Sequence, residues 1–261
     1  LATAGDVTPA IAPDKFQRII NEKYAAEIKF LVNQSDIRKG ELKKDELAAL
    51  HTKIAEANED ENLEIEEVNI SSYASPEGGV DFNTKLAEKR ELNTSKYLKD
   101  KFKKDKITEF GELTAQFTAE DWEGFQRLVS ESNIQDKELI LSVLSMYKDP
   151  EEREREIRNL SSVFDQLADE ILPQLRYSRI TASINVIGKS DEEIQQLFDV
   201  NPKNLSVDEI LYYATLTNDN EQKLRIYDKS AELYPKDYRI FNNVGVWQFI
   251  DEDYEAAKMN F

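Results

Sequence analysis

The chain has no cysteine and one histidine. The first absence excludes disulfide scaffolds, thiolate metal sites and cysteine nucleophiles, and leaves the compartment open, because an oxidising compartment does not oblige a protein to carry disulfides. The second leaves His51 as the sole imidazole. It falls among polar positions of a helical pattern, where a solvated or edge position fits better than a general base. No G-x-S-x-G, H-E-x-x-H or phosphate-cradling glycine loop occurs. No apolar run reaches the roughly 20 residues a spanning helix needs, so direct membrane insertion by this segment is not expected. Positive charge is in deficit: 34 Lys and Arg face 52 Asp and Glu, a net −18. Nucleic acid and anionic lipid are therefore unsuitable partners, since both need a basic surface.

What charge clustering exists has ordinary explanations. Lys99, Lys101, Lys103, Lys104 and Lys106 fall where a helix should end and complement its dipole. The acidic groups Glu59-Asp60-Glu61 and Asp251-Glu252-Asp253 lack the alternation and glycine of a calcium loop, so they read as solvated faces. No metal and no cofactor is implied. The opening LATAGDVTPAIAP has neither the charged start nor the apolar core of a signal peptide and reads as a linker. It suggests a chain cut from a longer exported protein. The interrupted helical pattern at Phe261 suggests the same at the other end.

The patterning between these ends predicts an α+β chain. Residues 1–24 are a lead-in whose Lys15–Tyr24 part has no assigned type. Ala26–Val32 has strand composition. Glu41–Asn58 reads as a helix with Leu42, Leu47, Leu50, Ile54 and Ala57 as its apolar stripe. Strand Leu63–Ser72 and a helix from Asp81 follow. Ile180–Ile187 alternates, with Ile180, Ala182, Ile184 and Val186 on one face and Arg179, Thr181, Ser183 and Asn185 on the other. The expected order is β-α-β-α-insert-β, with the three strands in one sheet and helices on one face.

The insert, about 107–172, reads as wholly helical. Thr118 and Asp121 look like a capping pair before Trp122, Phe125 and Leu128. Asp149-Pro150-Glu151-Glu152 combines a capping Asp, a first-position proline and carboxylates in the first turn. Ile157, Leu160, Phe164, Leu167 and Ile171 recur at three or four residues until Pro173. Trp122 fits a core anchor better than a ligand platform.

From Ser190 the chain is helical again, with capping boxes at Ser190/Glu193 and Ser206/Glu209. Phe241-x2-Val244-Gly245-x2-Gln248, then Ala257-x3-Phe261, resembles the tetratricopeptide spacing. Thirty-four positions earlier, Val207, Ile210, Leu211, Ala214, Tyr227 and Pro235 fit the frame more loosely, with Leu211 where Gly belongs. Small residues at Gly245 and Ala257 let two antiparallel helices approach, and Phe241, Val244 and Phe261 fill the space beside them. A plain helical hairpin is the alternative.

The stretch Val68–Leu98 carries a second resemblance. Val68, Ile70 and Ser72 alternate, Pro76, Gly78 and Gly79 break the chain, and Phe82, Leu86, Leu92 and Leu98 resume at helical spacing. Within it, Y-A-S-P-E-G-x4-N-x2-L-A-x2-R resembles the signature of the OmpA-like peptidoglycan-binding domain. In that family an Asp at the strand end takes the ammonium of the stem-peptide diaminopimelate, an Arg fifteen positions on takes its carboxylate, and an Asn orders the loop. Arg90 matches the Arg and Asn83 the Asn, but Ser75 stands where the Asp belongs. Glu77 is the only carboxylate nearby, and it would have to fold back across Pro76. Exchanging a charged acceptor for a hydroxyl halves a bond of about 1.5–3 kcal/mol.

The resemblances imply an OmpA-like domain over 25–189, helical insert included, and tetratricopeptide-like repeats over 190–261. Such a chain is similar to envelope proteins of the Bacteroidetes type, in the periplasm beside the outer membrane. The implied function is non-enzymatic: Ser75, Glu77, Asn83 and Arg90 contact the peptidoglycan stem peptide and the repeats recruit a protein partner. A rival reading is an interaction scaffold whose OmpA-like unit no longer binds cell wall. A remote one is a serine hydrolase, because Ser75 between strand and turn resembles a nucleophile elbow.

Overall fold

A computed structural model describes residues 9–159 and 161–261. Residues 1–8 of the expected linker, and Leu160 of the expected insert stripe, lie outside the described residues. The chain is mixed α and β and divides into two compact units. One is Asn21–Val186; the other joins the residues up to Ile20 with Ile187–Phe261.

The first unit is built on a four-stranded sheet in the order β1-β4-β2-β3: β1 (Ile19–Lys29), β2 (Leu63–Tyr73), β3 (Glu112–Thr118) and β4 (Tyr177–Ile187). The three strands expected in one sheet lie in one sheet. β2 pairs antiparallel with β4, with Val68 opposite Ala182 and Ile70 opposite Ile180, and parallel with β3. β1 runs antiparallel to β4: Phe30 N donates to Arg176 O at one end, and Asn21 Nδ2 reaches Asn185 Oδ1, 2.8 Å away, at the other. The helices α1 (Asp45–Glu59) and α2 (Val80–Asp105) cover one face. There Ile28, Val68, Ile70, Ile180, Ala182 and Ile184 meet Leu47, Ile54, Leu98 and Phe102 in one core. The opposite face is polar, as the alternation of β4 predicts, and carries Arg179 bonded to Glu27 and Asn69 bonded to Thr114.

β3 corrects the wholly helical insert. Its edge position and exposed side chains explain why its pattern is faint, and Thr118, expected as part of a helix cap, is its last residue. Gly111 admits the chain to β3 with φ +62°, and a Cβ there would lie 2.2 Å from the carbonyl oxygen of Glu66. The helical part begins at α3 (Trp122–Glu131) and continues through α4 (Lys137–Met146), α5 (Pro150–Asn159) and α6 (Ser161–Gln166). The helical path does not stop before Pro173: a π turn over Leu167–Ile171 leads into a 3-10 turn, Leu172–Leu175, that contains it. Phe125, Val129, Ile140, Leu167, Leu172 and Leu175 give this lobe its own core, with Trp122 packed against it.

The second unit holds α7 (Asp191–Val200), α8 (Val207–Thr215), α9 (Asn220–Leu233), α10 (Tyr238–Ile250) and α11 (Tyr254–Asn260). Both capping boxes form. Val244 and Ala257 are buried and Phe241 is half-buried. A Cβ on Gly245 would meet the Phe261 ring at 3.0 Å. Residues 9–18, expected as a linker, instead lie along these helices.

Candidate functional site

Tyr73 ends β2, and Ala74, Ser75 and Pro76 follow, all buried, before the turn Glu77-Gly78-Gly79 opens α2. Asn83 sits in the first turn of α2 and closes the loop: its Nδ2 donates to Gly78 O at 2.7 Å and to Glu120 Oε1 at 3.1 Å. The two bonds tie the loop to α2 and to Glu120. Glu120 also accepts from the Trp122 indole at 2.9 Å. Burial raises its carboxyl pKa, those two bonds oppose the shift, and Glu154 and Glu151 add to it.

Ser75 and Glu77 form a closed set with a residue the sequence reading did not single out. Ser75 Oγ donates to Glu77 Oε1 at 2.9 Å. Arg176, just before β4, reaches Glu77 with two nitrogens, at 3.0 and 2.8 Å, and donates to Ser75 Oγ at 3.3 Å. The Glu77 carboxylate therefore already has a cation. A further arginine, Arg158 of α5, donates to the Glu77 main-chain oxygen. Arg176 lies 101 residues from Ser75, so no local spacing could have revealed it. The available signal was its place at the start of a strand that pairs with β2.

The resemblance has Arg90 contact the stem peptide together with Ser75, Glu77 and Asn83. Arg90 is instead 0 % exposed. Its Nε donates to Gln34 O at 3.0 Å, its Nη1 to Tyr73 O at 2.8 Å and its Nη2 to Leu31 O at 3.2 Å. The guanidinium lies 5.0 Å from the centroid of the Phe30 ring. Burial lowers its pKa to about 10, the nearby Arg176 cation contributes, and Glu77 opposes. All three nitrogens are thus committed to main-chain carbonyls, which need a donor once buried. Arg90 ties the residues after β1 to the end of β2, and no face of it meets solvent.

Beside these residues, a cleft of about 290 Å³ is lined by Tyr73, Asp121, Arg127, Tyr177 and Arg179 among others. Tyr73 and Tyr177 stack with ring centroids 4.7 Å apart. Tyr177 donates to Asp121 Oδ2 at 3.2 Å, while Asp121 Oδ1 caps α3 by accepting from Gly124 N at 2.8 Å. Burial raises the Tyr177 pKa, with the Asp121 carboxylate next. The phenol stays protonated at neutral pH and acts as a fixed donor.

Ser75 has no imidazole beside it. His51 Nε2 lies 3.0 Å from the phenolic Oη of Tyr97 on α2, and its burial lowers its pKa, with Lys101 adding to the shift. His51 is buried, not solvated as its polar sequence neighbours suggest. Among the described residues no group of three or more acidic or histidine side chains is arranged to hold a metal, and no helix is long and apolar enough to cross a membrane. Compared with known proteins, the chain matches no family model and no curated protein.

Proposed function

We propose that this chain is a non-enzymatic interaction scaffold of the cell-envelope type, with an OmpA-like sheet unit that is structural and a tetratricopeptide-like helical unit that recruits a protein partner. The OmpA-like resemblance of Ser75, Asn83 and Arg90 supports a periplasmic setting beside the outer membrane. The observation that carries the choice between scaffold and cell-wall anchor is Arg90: the residue that would take the diaminopimelate carboxylate is fully buried and bonded to three main-chain carbonyls. The companion carboxylate, Glu77, is neutralised by Arg176. A ligand carboxylate would have to displace bonds that hold the fold together. The hydroxyl of Ser75, 4 % exposed and without a base, makes the hydrolase reading weaker still.

Co-sedimentation with purified peptidoglycan tests the reading. Retention no greater than that of an unrelated acidic protein of similar charge is expected. Retention that free diaminopimelate releases would overturn it and restore the anchor.

A further inference from the structure

Residues 9–18 adopt neither helix nor strand, yet they are seated on the helical unit as an extended peptide would be. Ala12, Asp14, Phe16 and Arg18 are half-buried, while Ile11, Pro13, Lys15 and Gln17 are exposed. That two-residue alternation belongs to an extended chain lying on a surface. Its main chain is read directly. Asn243 of α10, only 1 % exposed, accepts from Ala12 N at 2.7 Å and donates to Ala12 O at 3.0 Å, as the edge of a strand would. The neighbouring Asn242 donates to Ala10 O at 2.9 Å, and Asp208 of α8 accepts from Lys15 N at 2.9 Å.

Two side chains of the segment are read as well. The Phe16 ring packs on Tyr212 with centroids 4.4 Å apart. The Arg18 guanidinium bonds to Asp191 at the start of α7 and to the Tyr212 hydroxyl, and lies 5.8 Å from the centroids of both rings. Asn243 Oδ1 also accepts from Asn242 Nδ2 at 3.1 Å, but a buried carboxamide that loses its main-chain partners is costly to leave so. Main-chain bonds supply affinity in this mode of recognition, and the side-chain contacts supply selectivity.

We propose that α7, α8 and α10 form a peptide-binding groove that residues 9–18 occupy in cis, and that its ligand in trans is an extended segment of a second polypeptide carrying the same signature. That signature is a small residue, an aromatic four positions later and an arginine two beyond it. Asp191, which bonds to Arg18, favours the basic end, whereas Asp208 is paired with Arg239 and reads the main chain. The trans ligand rests on the reading of the helical unit as the partner-recruiting part; the occupied groove does not. A tethered segment competes at an effective concentration of about millimolar, so the chain's own strap holds weak ligands out.

Two measurements test this on the full chain. In wild type, hydrogen exchange at the Ala12 and Lys15 amides should be at least tenfold slower than in the isolated peptide of residues 9–19. Exchange at the peptide's rate overturns the strap. Fluorescence anisotropy with that peptide, labelled, should show binding at least tenfold tighter to an Arg18→Ala chain than to wild type. The gain should disappear when Asn243→Ala is added, and when the peptide's own Phe and Arg are replaced by alanine. Equal binding to wild type and Arg18→Ala, or none to either, overturns the groove. Slow exchange with no trans binding by a folded Arg18→Ala chain would sink the peptide ligand while leaving the scaffold reading intact. Diaminopimelate-released retention on peptidoglycan would do the reverse.

Discussion

Replacing Arg90 by methionine keeps most of the side chain's volume and removes its three charged donors. Bonds from a charged donor contribute about 1.5–3 kcal/mol each, so three come to roughly 4.5–9 kcal/mol. Burial opposes the charge: the fall of the pKa from 12.5 to about 10 corresponds to about 3 kcal/mol, which methionine recovers. Leu31 O keeps a second donor in Gln34 N, which trims the upper end. The sheet unit should lose about 1–5 kcal/mol. Urea unfolding at pH 7 measures it, followed by Trp122 fluorescence in a Trp247→Phe background so that only the sheet unit is read. Arg90→Lys should fall between the two, because an ammonium cannot reach three carbonyls set around a planar fork. A loss below about 1 kcal/mol for Arg90→Met would refute the reasoning, since the carbonyls would then have other donors.

Three further outcomes are expected. Gly111→Ala should cost at least ~2 kcal/mol in the same unfolding assay, because it adds a left-handed-backbone penalty to a clash with the Glu66 carbonyl; a neutral result would mean that the main chain at Glu66 relaxes freely. A double-mutant cycle over Glu77→Gln and Arg176→Met should give a coupling of about 1–2 kcal/mol, and a value below about 0.5 would class the pair with surface ion pairs. His51, held neutral by burial, has a pKa below its unfolded value of 6.5. Its contribution is complete above pH 6.5 and is lost as pH falls through the folded pKa. Wild-type Tm should therefore decline more steeply than that of His51→Gln between pH 6.5 and 5, whereas Glu120, with its pKa raised, acts in the opposite sense in both. Parallel slopes would show that the ring is not buried neutral.

The central strands were legible because burial wrote them into the sequence. β2 and β4 lie between neighbours, and their apolar residues alternate cleanly against a polar face. β3 and most of β1 lie at the sheet's edges with exposed side chains, so neither leaves an apolar period to read. The helix after the turn shows the converse. Phe82 and Leu92 suggested its buried stripe, yet both are half-exposed, and the face turned inward carries Asn83, Arg90 and Thr94 beside Leu86, Leu98 and Phe102. A stripe defined by hydrophobicity misses Asn83 and Arg90, which are buried because main-chain oxygens accept from them. The motif residues were found by order, and their partners were not: Arg176 and the carbonyls of Leu31 and Gln34 come from segments distant in sequence.

The position of β4 has a consequence for how the chain is made. β4 is last in sequence of the four strands and lies between β1 and β2. A ribosome releases β1 first, and that strand has no neighbour until about 150 residues later, after the whole lobe from α3 onward has emerged. β2 and β3 can pair in the meantime across α2, leaving one open edge on each side of the gap. Open edges recruit other chains, so the nascent protein is most prone to aggregate while the lobe is being synthesised. Insertion of β4 closes two ladders in a single late step, and such long-range closure is slow.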